Sequence, residues 1–393
     1  MTAPIMDTYA LSAEARTLER SVMRELLKRA TAPGVISLAG GLPDSALLPA
    51  SEIAECAAAV LRRDGGAALQ YRPMFEPLRA WIADHMRQRG VDVDAKDIYI
   101  TNGNQQGLTI LSRLFLSPGD LAVTGAYTFT GVRQVTQGRG ARVIGVPVEA
   151  DGVDLGALEA AFAQRPSLAV LIPSYQNPLG VTLSDDKRRA AAQLAARYRV
   201  PLVEDDPYSM LAFDGTPPAP IKAYDEGWVF YLGSFSKMLA PGLRLGWIVA
   251  PPALGTRIVT LRESIDLESS TLIQRTVHEY LSRELLPGHL RRLNAANRDR
   301  CAAMMDALNA HFSGLADWTR PTGGLFSWLT LHDESADTMS RLPDAIEQHG
   351  VAYVPGSAFS VDGRGSNTVR LNFSACTSDQ IREGVARLRD VFA

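Results

Sequence analysis

Tyr231-Leu232-Gly233-Ser234-Phe235-Ser236-Lys237 is the stretch on which the reading of this chain turns. It starts as an apolar run, narrows to small residues and ends on a lysine, with Pro241-Gly242-Leu243-Arg244 close behind. A strand that carries a lysine into a buried site lets desolvation depress its pKa from roughly 10.4, leaving a free amine able to attack a carbonyl. Most lysines at strand ends instead snorkel into solvent. Ser234, Ser236 and Arg244 argue against that here, because two hydroxyls and a forked guanidinium within eleven positions are suited to converge on one phosphate. Only Lys28, Lys96, Lys187, Lys222 and Lys237 are lysines, so candidates for a reactive amine are few.

Six further short apolar runs surround this one: IYIT (98–101), LAVT (121–124), RVIGVPV (142–148), LAVLIP (168–173), PLVE (201–204) and LGWIVA (245–250). Helical periodicity fills 105–115, 155–163 and 184–197 between them. Strands alternating with helices predict an α/β fold, with a mostly parallel seven-stranded sheet covered by helices on both faces. After about residue 253 the pattern changes to helical stretches over 253–311, short strands near 325–330, 351–354 and 368–373, and a final helix over 377–391. That is a smaller α+β region. Near the N-terminus, 13–30 reads as an amphipathic helix broken by Pro33-Gly34, and 35–43 runs extended. The expected organisation is an N-terminal segment, 1–50, joining the small domain, a large domain over 51–285, and a small C-terminal domain over 286–393.

Composition narrows the function classes. The 393 residues carry a net charge of -3 and no block of like charge, which speaks against nucleic acid or acidic membranes as partners. Cys56, Cys301 and Cys376 lack disulfide-framework or zinc spacing, which fits a reducing cytoplasm. The N-terminal residues show no signal-peptide pattern, and no run of 18 apolar residues occurs.

Three more loops follow strands and therefore belong at one crevice, the carboxyl end of the sheet. Thr101-Asn102-Gly103-Asn104-Gln105-Gln106-Gly107 is a glycine loop opening a helix, a second anion site or simply a well-capped turn. Its glycines do not satisfy GxGxxG, so a nicotinamide cofactor is a poor match. Pro173-Ser174-Tyr175-Gln176-Asn177-Pro178-Leu179-Gly180 and Glu204-Asp205-Asp206-Pro207-Tyr208 supply the other polar groups. The acid pair is also a candidate Mg²⁺ site, but no histidine lies nearby and such sites usually need substrate phosphates, so no metal is expected.

Taken in order and spacing, N-P-x-G at 177–180, D-x-x-Y at 205–208, S-x-S-K at 234–237 and Arg244 seven residues later resemble the class I/II aminotransferases, pyridoxal 5'-phosphate (PLP) enzymes of fold type I. The resemblance runs from about Ser21 to the C-terminus and is nearest the 2-aminoadipate and kynurenine aminotransferase subgroup. It implies that Lys237 is the Schiff-base lysine, that Asp205 partners the pyridinium nitrogen, and that Tyr208 and Asn177 donate to the ring hydroxyl oxygen. It further implies a phosphate cup of Asn104, Gln105, Ser234, Ser236 and Arg244, with Tyr127 stacked on the ring. Tyr71 matches a tyrosine that reaches the phosphate of the neighbouring subunit, implying a homodimer. Arg370 matches the arginine that grips the substrate α-carboxylate, Gly41 and Leu42 the segment lying over the substrate, and Arg24 a position touching acidic substrate side chains. Amino group transfer between an L-amino acid and a 2-oxo acid, by ping-pong kinetics, is the implied activity. PLP-dependent elimination, decarboxylation or oxygen-dependent oxidation is the alternative.

A transcription regulator with an aminotransferase-like domain is a more distant alternative, disfavoured because only about twenty non-basic residues precede the matching segment. One departure stands out. Relatives read Tyr-Gly-Pro and then Gly-Tyr before Pro-Leu-Arg, whereas this chain has Tyr71-Arg72-Pro73-Met74-Phe75-Glu76-Pro77-Leu78-Arg79, about two residues shorter at the substrate entrance.

Overall fold

The computed structural model describes residues 10, 12, 15, 32–225 and 227–392. Seven strands form one sheet: β1 (Ile98–Thr101), β2 (Leu121–Gly125), β3 (Arg142–Val146), β4 (Leu168–Leu171), β5 (Leu202–Asp206), β6 (Val229–Ser234) and β7 (Gly246–Val249). Their spatial order is β1-β7-β6-β5-β4-β2-β3, and all neighbours are parallel except β7, which runs antiparallel to β1 and β6. Every predicted apolar run is a strand. The runs are continuous rather than alternating because both faces are covered, and β4, β5 and β6 are buried at every position. A fully buried leucine such as Leu232 contributes roughly 2 kcal/mol from this packing.

Helices over Asn104–Phe115, Leu155–Phe162 and Asp185–Tyr198 cover the sheet within two residues of their expected bounds. Asp154 caps the second, its carboxylate accepting from the Ala157 N–H at 3.0 Å. Downstream, the expected helical stretch divides into Gly255–Asp266, Thr271–Ser282 and Leu285–Phe312. The breaks fall at Leu267 and Glu284, which adopt left-handed φ of 64° and 56° without a glycine to announce them. Ser270 then restarts the chain by accepting from the Ile273 N–H.

A second sheet of four strands, Ala316–Trp318, Phe326–Leu331, Thr368–Asn372 and Val354–Pro355 in that spatial order, lies in the C-terminal region. The extended N-terminal segment joins it, because Ile36 and Ser37 pair in parallel with Val351 and Ala352. Ile36, Leu38 and Ala39 share one core with Met304, Leu308, Leu371, Val385 and Leu388. Gly384 permits that closeness, since a Cβ there would lie 2.9 Å from Ile36 Cγ2. Tyr208, Ile172 and Leu211 from the large sheet's loops meet Leu293, Leu325 and Phe326 in a further cluster. Among the described residues no helix is long and apolar enough to cross a membrane. Arg24, and all of the expected helix over 13–30 except Ala15, lie outside the described residues.

Candidate active site

Strand register brings the loops together. Gly246 pairs with Thr101 on one side and Ser234 on the other, so the glycine loop and the lysine segment flank the start of β7. Gly103, at φ +81°, turns the chain into the helix over Asn104–Phe115, and a Cβ there would sit 2.9 Å from Arg244 Nη2. Arg244 is thereby drawn over the loop and donates to Asn102 O at 3.0 Å. Ser234 Oγ accepts from the Ser236 N–H at 3.1 Å. Hydroxyls, guanidinium and a helix N-terminus are thus gathered at one end of the sheet, as a phosphate requires. Gln105 is turned to Gly131 O at 3.3 Å. Asn104, expected at the phosphate, instead directs its side chain to Asp205 Oδ1 at 2.6 Å.

Lys237 donates from Nζ to Gly41 O at 2.7 Å. The other described lysines each have a carboxylate: Lys96 with Asp94, Lys187 with Glu149 and Asp151, and Lys222 with Asp225. Burial, the Arg370 guanidinium and the Arg244 guanidinium lower Lys237 to a pKa of about 8. At pH 7 about a tenth of this amine is therefore deprotonated, far more than for a lysine at its ordinary value, which supplies the free amine that a nucleophile or general base needs.

Three consecutive acids at the end of β5 divide by strand alternation. Asp206 ion-pairs with Arg89 at 3.1 Å and accepts from Tyr231 Oη at 2.9 Å, while Glu204 accepts from the Ile221 and Lys222 N–H groups. Asp205 points to the other face, 3% exposed. Desolvation lifts its pKa to about 7, against the donor from Asn104 and with a smaller push from Asp206. A buried carboxylate held by an amide but lacking a cation is a ready partner for one. Among the described residues no group of three or more His, Cys, Asp or Glu side chains is arranged to hold a metal.

Arg370 reaches the same cleft from the second sheet. It donates from Nη1 to Asn177 Oδ1 at 2.9 Å and from Nη2 to Ala39 O at 2.6 Å, and Nε is buried without a partner. Phe326 and Phe359 enclose the guanidinium at 4.3 and 4.8 Å. Asn177 Nδ2 donates to Tyr208 Oη at 3.3 Å, and burial raises the Tyr208 pKa. Tyr127 sits against Trp328 with centroids 5.0 Å apart, and its carbonyl accepts from Gln176 Nε2 at 2.7 Å. Gly41 and Leu42 border the cleft through their carbonyls, which accept from Lys237 and from Ser374 Oγ respectively. Tyr71, 73% exposed, stands apart from these groups on the surface.

Gln176, Phe326 and Phe359 were not among the expected site residues. Gln176 lies inside the quoted 173–180 loop and was legible there, whereas the two phenylalanines belong to distant segments with no local motif. The segment over 71–79 is held by strand β1 and by the helix over Thr271–Ser282: Met74 Sδ accepts from the Ile100 N–H at 3.1 Å, and the Phe75 N–H donates to Gln274 Oε1 at 2.8 Å.

A mostly parallel sheet whose carboxyl end carries a buried amine and a buried carboxylate without a cation is the arrangement expected of a fold type I PLP-dependent enzyme, and the comparisons with known proteins agree. The chain belongs to the class I and II aminotransferase family, whose model matches residues 34–388. It is 37% identical to an aromatic-amino-acid aminotransferase of Thermococcus litoralis, over 99% of this chain and 95% of the relative. It is also 37% identical to a 2-aminoadipate transaminase of Thermus thermophilus, over 98% and 97% of the two chains. The crystal structure of Pyrococcus horikoshii kynurenine aminotransferase superposes with a TM-score of 0.93 at 35% identity, covering 99% and 98%. The protein is a PLP-dependent aminotransferase, and the alternative PLP chemistries are not favoured.

Proposed function

We propose that Lys237 carries the cofactor and the proton, and that the substrates are an L-amino acid with an aromatic or 2-aminoadipate-like side chain and a 2-oxo acid. The observation that carries this reading is the Lys237 amine at the carboxyl end of the sheet, donating to Gly41 O at 2.7 Å with the Arg370 and Arg244 guanidinium groups as its charged neighbours; burial and those cations lower its pKa to about 8. Ser234, Ser236, Arg244, Gln105 and the helix N-terminus at Asn104 would hold the phosphate of PLP. Asp205 would hold the proton on its ring nitrogen, with Tyr208 and Asn177 at the ring oxygen and Tyr127 on the ring face. Bound there, PLP supplies an electron sink for the bonds at the substrate Cα. Arg370 takes the α-carboxylate through its two Nη atoms and so presents the Cα–H to Lys237 Nζ, which removes the proton as the amine. The Gly40–Leu42 segment covers the substrate and excludes water. The substrate class rests on the names of the relatives.

The working unit in this proposal is a homodimer with Tyr71 reaching into the partner subunit's site. Its support is the exposure of Tyr71 together with Leu69 and Leu42 on one chain. The division into domains at about residue 285 is supported by the start of the long helix at Leu285. Three buried free thiols support a reducing, cytoplasmic setting.

Complementation tests the shared site. Lys237→Ala and Tyr71→Ala chains are each expected to be nearly inactive alone. Mixed dimers are expected to regain one intact site, about half the activity per dimer, because Lys237 and Tyr71 then come from different chains. No recovery in mixed dimers would mean that Tyr71 does not serve the partner's site.

A further inference from the structure

Asn104 sits where a glycine loop, a helix and two strands meet. The helix it opens lies close on β6, because Gly107, one turn further, has no side chain: a Cβ there would stand 2.8 Å from Leu232 Cδ2. Leu232 is the register partner of Asp205 on β5. A side chain at the first helical position therefore reaches across Leu232 to the carboxyl end of β5. Asn104 Nδ2 does so, donating to Asp205 Oδ1 at 2.6 Å and to Leu232 O at 3.3 Å.

The identity of the atom facing Asp205 follows from chemistry. Both neighbours, a carboxylate and a carbonyl, are acceptors, so the amide must present its nitrogen. The cost is that Asn104 Oδ1 is buried without a hydrogen-bond partner. The amide thus satisfies its donor at Asp205 and Leu232 O at the expense of its own acceptor.

We propose that Asn104 is a positioning residue for Asp205, fixing the orientation of its carboxyl group and favouring its ionised form. The proposal deepens the reading of Asp205 as partner of the ring nitrogen and rests on it. Asp206, on the same strand, opposes ionisation of Asp205, and Tyr208 is the other titratable group that interacts with it. Asn104 is thus the group that offsets burial at this carboxylate. A neutral Asp205 would be unable to balance a cationic ring, so the orientation and charge set by Asn104 bear directly on proton retention there.

The test is a carboxyl infrared titration of the full-length chain without cofactor, with Asp205→Asn as the control that assigns the Asp205 band. In Asn104→Leu, similar in shape but without a donor, the Asp205 midpoint is expected to rise by about one pH unit, a tenfold gain in proton affinity. In Asn104→Asp it is expected to rise further, because two adjacent carboxyls share one proton. Circular dichroism establishes that each variant is folded, and if Asn104→Leu fails that check the Asn104→Asp midpoint decides. An unmoved Asp205 midpoint in the folded variant overturns the proposal. Failure of the underlying reading has a different signature, namely full transaminase activity in Asp205→Asn.

Discussion

Arg370 and Asn177, 193 residues apart in sequence, share a hydrogen bond of 2.9 Å from Nη1 to Oδ1. Because Asn177 also donates to Tyr208 Oη, one side chain joins the arginine proposed for the substrate carboxylate to the tyrosine proposed for the cofactor ring. Asn177→Ala is therefore expected to disturb both, leaving a buried guanidinium short of a partner. A loss on the order of 2 kcal/mol, or about thirtyfold in kcat/KM, is expected from a hydrogen bond to a charged group. Steady-state kinetics alongside PLP affinity checks it; a change in only one of the two would refute the link.

Arg370→Lys keeps the charge but loses the fork and the fit between Phe326 and Phe359. Lysine cannot reach Asn177, Ala39 O and a carboxylate from one planar group. The expected fall in kcat/KM is about a hundredfold or more, with KM bearing much of it, while the cofactor spectrum stays intact.

Lys237 fixes a pH dependence. Because burial and two guanidinium groups lower its pKa to about 8, the rate of covalent capture of PLP by the cofactor-free chain should rise steeply towards pH 8 and level off above it. The stability linkage has the matching sign. A depressed folded pKa leaves stability intact above 10.5 and takes it away as pH falls through about 8, so Lys237→Ala should relieve a penalty felt at pH 7. Stopped-flow capture rates and thermal melts across pH 6–11 measure both.

Asp205 has the opposite charge and the opposite sign. Its pKa is raised to about 7, so its contribution to cofactor-free stability is full below about 4 and is lost as pH rises through 7. Asp205→Asn should accordingly stabilise the cofactor-free chain at pH 8 by on the order of 2 kcal/mol, while slowing Cα proton removal. Denaturant melts with and without PLP separate the two effects.

The sheet was readable because parallel strands covered on both faces are mostly apolar along their length, as in the buried runs at 168–171 and 229–232, with polar residues gathered at strand ends such as Glu204 to Asp206. The loops were readable for a related reason: in such a sheet the carboxyl ends of the strands share one crevice, so the 173–180 and 204–208 loops meet, as the hydrogen bond from Asn177 to Tyr208 Oη shows. The chain breaks at Leu267 and Glu284 were not, because non-glycine residues hold left-handed φ there under tertiary constraint. Nor was the destination of Asn104, which depends on how closely Gly107 lets its helix approach Leu232. The aromatic enclosure of Arg370 comes from two strand-loop segments of the second sheet, so no local pattern announced it.

The most direct measurement is an anaerobic absorption spectrum of the protein with PLP, before and after single L-amino acids. The account predicts a visible cofactor band that converts to the pyridoxamine phosphate form, with one equivalent of 2-oxo acid per site, and returns when a second 2-oxo acid is added. A band that persists with every donor, or that changes only with oxygen uptake or with release of ammonia or carbon dioxide, would contradict it.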